Sequence, residues 1–174
     1  PAGLSITGKT IAVVGLGDIG RNTIRRLSGF DVKVLAYDPF VSVEPEQVGA
    51  NQILKFPDKI NEADFVVLTC ALTPSSHHMI NEATLSLMKD GVRIVNVARG
   101  PLINEQHLIA ALKSGKVRSA ALDVFEIEPL PAQNELRSFE RCIFGTHNGS
   151  NTAEGVRRAS NKAMELLFGF LSIN

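Results

Sequence analysis

The chain has 174 residues, 44% of them hydrophobic, enough to bury one core of domain size with at most a small appendage. Eighteen basic and eighteen acidic side chains cancel, which argues against a nucleic acid or a membrane surface as partner. No apolar stretch is long enough to span a bilayer, and the opening Pro1-Ala2-Gly3-Leu4 is no signal peptide, so a cytoplasmic setting is expected. Cys70 and Cys142 follow or sit in apolar runs and are expected as buried thiols rather than a disulfide. A start at proline rather than methionine suggests a fragment or a processed product.

In chain order, the apolar run 11–14 predicts a buried parallel strand that leads into Gly15-x-Gly17-x-x-Gly20 and a helix through Ile24 and Leu27. A second run, 32–36, leads to the acid Asp38. Residues 39–49 predict a loop or short helix, 52–56 a weak strand, 57–62 a short helix and 63–69 a clear strand. The segment 72–78 is polar and turn-rich, and a helix is expected over 81–87. Residues 93–97 predict a strand, and 104–113 a helix that stops at Gly115. The last strands are expected at 119–123 and 141–144. A long helix then runs from about 152 to 170, capped by Asn151 or Thr152. Strands separated by helices of this length specify an α/β fold, a doubly wound parallel sheet of Rossmann type in a single domain.

Each part of the first βαβ unit has a task in gripping a dinucleotide. Gly15 allows the tight turn, Gly17 lets the backbone approach a pyrophosphate, and Gly20 lets the helix pack close to the strand. The open N–H groups of the helix then face the phosphates. Asp38 accepts hydrogen bonds from ribose hydroxyls and repels a 2′-phosphate, which favours NAD over NADP. In such a sheet, ligands bind beyond the carboxyl ends of the strands. That rule selects Gly15, Gly17, Asp18, Ile19 and Gly20, then Asp38, Cys70, Thr73, Ala98 and Asp123 as candidate cofactor residues, and Ser150 in the histidine segment is a further candidate. An acid at Asp18 is repulsive to a pyrophosphate unless it points into solvent.

Three more residues at this edge carry chemistry. A guanidinium at Arg99 is suited to holding a carboxylate bidentately and polarising a neighbouring carbonyl. Glu128 and His147 offer a carboxylate and an imidazole; side by side, the first fixes the tautomer of the second and favours its charged form. Taken singly, each has a plainer reading as a loop charge or a structural histidine. His77 and His78 lie in a polar loop and His107 on a helix, with no ligand spacing around them, so no metal site is expected.

Together these motifs resemble the D-isomer-specific 2-hydroxyacid dehydrogenases, and among them the phosphoglycerate dehydrogenases. The resemblance rests on the glycine loop with Tyr37-Asp38-Pro39, on Leu72-Thr73-Pro74, on the segment 96–105, on 121–129 and on the histidine segment, and it covers essentially the whole chain. It implies that Arg99 binds substrate, that Glu128 pairs with His147, and that His147 exchanges the substrate proton. It also implies that Thr73 and Asp123 contact the cofactor, Asp123 near the nicotinamide amide.

Such a family member moves a hydride between NAD and a D-2-hydroxy acid, with 3-phosphoglycerate one candidate. The formate-specific branch pairs its histidine with glutamine, whereas this chain has Glu128. The family also contains NAD-responsive corepressors, which makes a regulatory protein the alternative; the absence of a peptide-docking signature favours the enzyme.

The chain departs from the family in two places. The family usually has Thr-Pro-His where this chain has Gly145-Thr146-His147, followed by Asn148 rather than an aliphatic residue, so the local backbone is expected to differ. The family also wraps a substrate domain around this one, and this chain is expected to hold the nucleotide-binding domain alone. Residues 4–9 stand where the first crossover would end, and 168–174 where the chain would cross back. The expectation is an NAD-binding domain over 1–174 of a larger two-domain enzyme, binding cofactor but inactive alone. The resemblance implies a homodimer through this domain, and Leu85, Leu87, Met88 and Leu102 are the apolar residues expected to contribute.

Overall fold

Seven parallel strands form one sheet in the order β3-β2-β1-β4-β5-β6-β7, seen in a computed structural model that describes residues 3–171. The strands are β1 (Thr10–Val14), β2 (Lys33–Tyr37), β3 (Gln52–Leu54), β4 (Phe65–Leu68), β5 (Val92–Asn96), β6 (Val117–Leu122) and β7 (Ile143–Phe144). The helices are α1 (Asp18–Leu27), α2 (Pro45–Val48), α3 (Glu82–Leu87), α4 (Glu105–Ser114) and α5 (Ala153–Leu171). The order reverses at β1, whose two neighbours are β2 and β4. That reversal opens the crevice in which doubly wound sheets hold ligands. The fold is the α/β, doubly wound arrangement expected from the apolar runs.

Side chains alternate across a strand, and the two core clusters follow that alternation. Ile11 and Val13 of β1 join Val34 and Ala36 of β2 in one cluster, closed by Leu16, Ile24 and Val48. Ala12, Val14, Leu35 and Tyr37 point the other way, into the larger cluster with Leu85, Leu102 and Leu108. Both faces of the inner strands are therefore covered, which explains their uninterrupted apolar sequence.

The punctuation is also physical. Asn81 caps α3 by accepting from the Thr84 amide, and Asn104 caps α4 by accepting from His107. Gly115 ends α4 in the left-handed region at φ 80°. At α5, Thr152 Oγ1 accepts the Gly155 amide at 3.0 Å, so Thr152 rather than Asn151 is the cap.

Several expectations change. The short helix expected over 57–62 is a single 3₁₀ turn at Ile60–Glu62, and β7 keeps only two residues of the run 141–144. Leu85, Met88 and Leu102 are core residues rather than part of a dimerisation patch; of the four, only Leu87 is exposed, at 53%. Cys70 and Cys142 are free thiols, but half-buried rather than fully buried. The helix α5 buries no side chain and leaves Met164, Leu166, Leu167, Phe168 and Phe170 exposed. Of the residues expected to cross back, 172–174 lie outside the described residues, as do Pro1 and Ala2. Among the described residues no helix is long and apolar enough to cross a membrane.

Candidate functional site

At the carboxyl end of β1 the glycine loop meets the requirements of a dinucleotide cradle. Gly15 sits at φ 104°, and a Cβ there would stand 2.6 Å from the Cys70 backbone. A Cβ on Gly20 would stand 1.9 Å from the Gly15 carbonyl oxygen, so only glycine lets α1 start this close to β1. Gly17 faces open space, with no atom within 4 Å of where its Cβ would be. It is the N-cap of α1 yet makes no side-chain capping bond, which leaves first-turn amides for an anionic ligand. A gap that a side chain would fill, beside uncapped helix amides, fits a pyrophosphate.

Asp38 closes the far side of this cradle. Its Oδ2 accepts the Leu16 amide at 2.8 Å and its Oδ1 the Phe40 amide at 2.9 Å. A carboxylate has about four acceptor positions, so lone pairs remain for ribose hydroxyls. Thr69 Oγ1 donates to the carbonyls of Val14 and Gly15 at 3.0 and 2.9 Å and braces the loop from β4. Asp18 and Ile19 are exposed on the first turn of α1, which lets the Asp18 charge lie in solvent. Arg21 folds back over the loop, its Nε donating to the Leu16 carbonyl at 2.7 Å.

The loop after β4 brings up Thr73. Its amide donates to Ser76 Oγ at 2.8 Å, and the Ser76 amide returns a bond to Thr73 Oγ1 at 3.2 Å. This reciprocal pair makes a firm polar turn. Cys70 behaves differently. Its Sγ lies 3.9 Å from Met79 Sδ and it packs on the core, so it is the Cys70 backbone that borders the glycine loop. Burial pushes the Cys70 thiol up, as it does Cys142.

Arg99, Glu128 and His147 stand on the loops that follow β5, β6 and β7. Because all these strands are parallel, the loops lie at the same sheet edge as the glycine loop. Asn96, buried at the end of β5, donates to the Arg99 carbonyl at 2.9 Å and accepts the Ala98 amide at 3.0 Å, fixing the turn that presents Arg99. The exposed Arg99 side chain donates through Nη1 to the Ala98 carbonyl at 2.6 Å.

Glu128 Oε2 lies 2.7 Å from His147 Nδ1, and Glu128 Oε1 accepts the Phe125 amide at 2.9 Å. Burial acts to raise the Glu128 carboxyl. The hydrogen bond from His147, the Phe125 amide and the charges of His147 and Arg99 outweigh it and hold the group below its ordinary range. The Glu128 loop is itself tied down by Glu105, whose Oε1 accepts the Glu126 amide at 2.6 Å.

His147 adopts φ 58°, a left-handed conformation rare for a residue with a side chain. Asp123, one residue past β6, accepts the amides of Asn148 and Gly149 on its carboxylate. Ser150 follows on the exposed end of this turn, before α5. The loops thus bring Glu128 and His147 into contact, with Arg99 near enough for its charge to act on Glu128 and Asp123 bound to the turn that bears His147.

Sequence reasoning missed Asn96, Thr69, Glu105 and the clearance at Gly145. Asn96 had a visible signal, a buried-strand run that ends in an amide three residues before the candidate Arg99. Thr69 and Glu105 act through partners far away in sequence and had none. Among the described residues no group of three or more His, Cys, Asp or Glu side chains gathers as metal ligands.

Residues 1–149 match the family described as D-isomer specific 2-hydroxyacid dehydrogenase, NAD binding domain. The chain is 41% identical over 167 residues to the D-3-phosphoglycerate dehydrogenase of Methanocaldococcus jannaschii, covering 94% of this chain and 31% of the relative. It is 40% identical over 172 residues to the glyoxylate reductase of Thermofilum pendens, covering 97% of this chain and 50% of that one. The solved apo structure of D-lactate dehydrogenase from Escherichia coli superposes with a TM-score of 0.86 at 36% identity, over 98% of this chain and 53% of the other. The chain therefore spans between about a third and about half of these relatives' own lengths.

Proposed function

The chain belongs to the D-isomer-specific 2-hydroxyacid dehydrogenases as an NAD-binding domain, and we propose that residues 1–174 form the cofactor half of a two-domain enzyme. Its reaction is the oxidation of a D-2-hydroxy acid, or the reduction of the matching 2-oxo acid. The observation that carries this reading is the His147–Glu128 pair, set at the same sheet edge as the dinucleotide cradle.

Gly15, Gly17 and Gly20 admit the pyrophosphate, with the backbones of Asp18 and Ile19 at the helix start. Asp38 selects the unphosphorylated ribose. Thr73, Ala98, Asp123, Ser150 and the Cys70 backbone border the rest of the groove. NAD, when bound, supplies the hydride acceptor. Glu128 holds His147 through Nδ1, which leaves Nε2 to take the substrate's hydroxyl proton or return it to the carbonyl oxygen. Arg99 holds the substrate carboxylate and polarises the adjoining carbonyl through guanidinium N–H groups.

Arg99, Glu128 and His147 are all exposed, and the α5 helix carries an uncovered apolar face. Both features support a second domain that closes over the site in the whole enzyme. The relatives named above are all dehydrogenases or reductases, and none of them favours the regulatory alternative. A homodimer through this domain is proposed from family membership, since the middle-helix residues do not supply the patch; light scattering tests it. A cytoplasmic setting is part of the same proposal, supported by two free cysteines.

The test is turnover of D-2-hydroxy acids, beginning with 3-phosphoglycerate, by the complete protein. NAD-dependent oxidation that disappears in His147→Asn is the expected result. If the complete protein binds NAD yet turns over no 2-hydroxy acid, and His147→Asn leaves its biological role intact, the regulatory reading replaces this one.

A further inference from the structure

We propose that Asp123 is a positioning residue for His147: its carboxylate, admitted by the missing side chain at Gly145, staples the turn on which the imidazole stands. Three successive amides converge on this one residue. The His147 amide donates to the Asp123 carbonyl at 2.7 Å. The Asn148 amide donates to Oδ1 at 3.1 Å and the Gly149 amide to Oδ2 at 2.8 Å. Asp123 is itself anchored, because its own amide donates to the Asn96 carbonyl at 3.0 Å at the end of β5. The turn is thus referred to the rigid edge of the sheet, and through it to the cofactor cradle.

The turn needs such an anchor. His147 is held at φ 58°, where a residue with a Cβ does not rest without compensation. The sheet itself reaches only to Phe144, and Gly145 adds one more ladder bond, from its amide to the Leu122 carbonyl at 2.8 Å. Beyond that point the Asp123 contacts, together with the His147–Glu128 bond, tie residues 147–149 back to the fold. Charge adds strength, because amides bound to a carboxylate make stronger hydrogen bonds than amides bound to neutral acceptors.

Room for this carboxylate is not automatic. A Cβ at Gly145 would lie 2.1 Å from Asp123 Oδ1, and one at Gly149 would lie 3.0 Å from Oδ2. The two glycines bracket the carboxylate, and the contact at Gly145 is incompatible with any side chain in the present arrangement. Two of the roughly four acceptor positions are taken by amides, so the carboxylate still presents lone pairs to the groove. Asp123 therefore joins the cofactor groove to the turn that bears the acid–base residue. The catalytic weight of the staple rests on the reading of His147 given above; the staple itself does not.

The experiment uses the isotopically labelled chain in solution, comparing wild type with Asp123→Asn, Gly145→Ala and the double variant. Amide exchange at Asn148 and Gly149 is expected to speed up about tenfold in each single variant, the scale of one lost hydrogen bond. The His147 ring N–H resonance that marks its bond to Glu128 is expected to broaden or vanish in both. The double variant is expected to be no worse than either single one, since both remove the same contacts. Wild-type amide exchange and an unchanged ring resonance in the single variants would overturn the proposal, as would additive losses in the double.

Should Asp123→Asn not fold, acid titration of the wild-type chain decides the matter. The Asn148 and Gly149 amide shifts should follow the Asp123 carboxyl carbon through one common transition, and independent transitions would refute the staple. NAD affinity measured on the same samples keeps the two readings apart. A wild-type chain that fails to bind NAD refutes the proposed function, while the amide and ring signals still judge the staple.

Discussion

Glu128 binds His147 Nδ1 at 2.7 Å through one carboxylate oxygen while the other holds the Phe125 amide at 2.9 Å. The residue that orients the imidazole is thereby itself oriented by the backbone of its own loop. Replacing it with glutamine keeps the shape but exchanges an anion for a neutral amide beside the imidazole. For Glu128→Gln in the complete enzyme, kcat should fall by about 10²–10⁴-fold, the usual worth of general acid–base catalysis. NAD affinity should change little. A steady-state profile with kcat intact would remove Glu128 from the chemistry.

Both Glu128 and Asp123 are held below their ordinary carboxyl range, and this makes stability depend on pH. At each, burial works to raise the value and hydrogen bonds, with the His147 charge, more than reverse it. A group depressed in the folded state contributes stability that is complete above its unfolded pKa, and loses it as pH falls through the folded value. The chain should therefore hold its thermal midpoint from neutrality down to the ordinary carboxyl values of 4.5 and 3.8, then lose it below them. Melting curves of Glu128→Gln and Asp123→Asn should start lower and fall less steeply over that acid interval. Parallel curves for wild type and variants would refute the assignment.

Much of this molecule was legible as pattern. The inner strands β1, β2 and β4 are apolar on both faces and stand out against their surroundings, and Gly115 marked the end of α4 through its left-handed conformation. Edge elements were harder: β7 pairs with one neighbour only, so tertiary contact rather than composition decides its length. The dimer patch failed because Leu85, Met88 and Leu102 are apolar for another reason: they face the larger core cluster. Arg99 and His147 stood out by the rule that ligands sit beyond strand ends, whereas Glu128 came from the segment 123–129 and the roles of all three from the family resemblance. The clearance between Gly145 and Asp123 was invisible, because it is a distance across two strands that local sequence does not encode.

Gly20→Ala tests the cradle. The added Cβ would meet the Gly15 carbonyl oxygen at 1.9 Å and Thr69 Oγ1 at 2.9 Å, and the Gly15 backbone cannot give way without moving the loop. Overpacking of this kind costs about 1–3 kcal/mol. Differential scanning calorimetry should show a fall of roughly 2–12 °C, at about 2–4 °C per kcal/mol for a domain of this size. NAD affinity should fall as well, because α1 must shift away from the loop that its first-turn amides complete. A variant with wild-type melting and binding would show that α1 does not need this close approach.

Asp38 should govern cofactor choice. It already orders the loop by accepting the Leu16 amide, and it keeps acceptor positions that suit ribose hydroxyls. A 2′-phosphate brought against this carboxylate would be repelled by on the order of several kcal/mol before screening. Calorimetric titration of the chain should therefore show NAD binding at least about a hundredfold tighter than NADP, since each 1.4 kcal/mol is worth tenfold. Asp38→Ser should weaken NAD and narrow the gap. Equal dissociation constants in the wild type would sink the assignment.

The chain on its own should bind NAD without appreciable turnover. The acid–base pair is formed, yet the His147 and Glu128 side chains are 47% and 34% exposed, and Arg99 spends a guanidinium N–H on its own backbone. In water the charge of Arg99 is screened and its hold on a substrate carboxylate weak. A substrate displaced by about 1 Å can lose about a hundredfold in rate, and nothing in these loops supplies a second wall to prevent that. Closure by a further domain would exclude water and fix the substrate between Arg99 and His147. Spectrophotometric assay of the chain with NAD and a panel of D-2-hydroxy acids should show no burst and no steady rate. The complete protein should show both, and rates from the chain alone matching the complete protein would mean that these loops hold the substrate unaided.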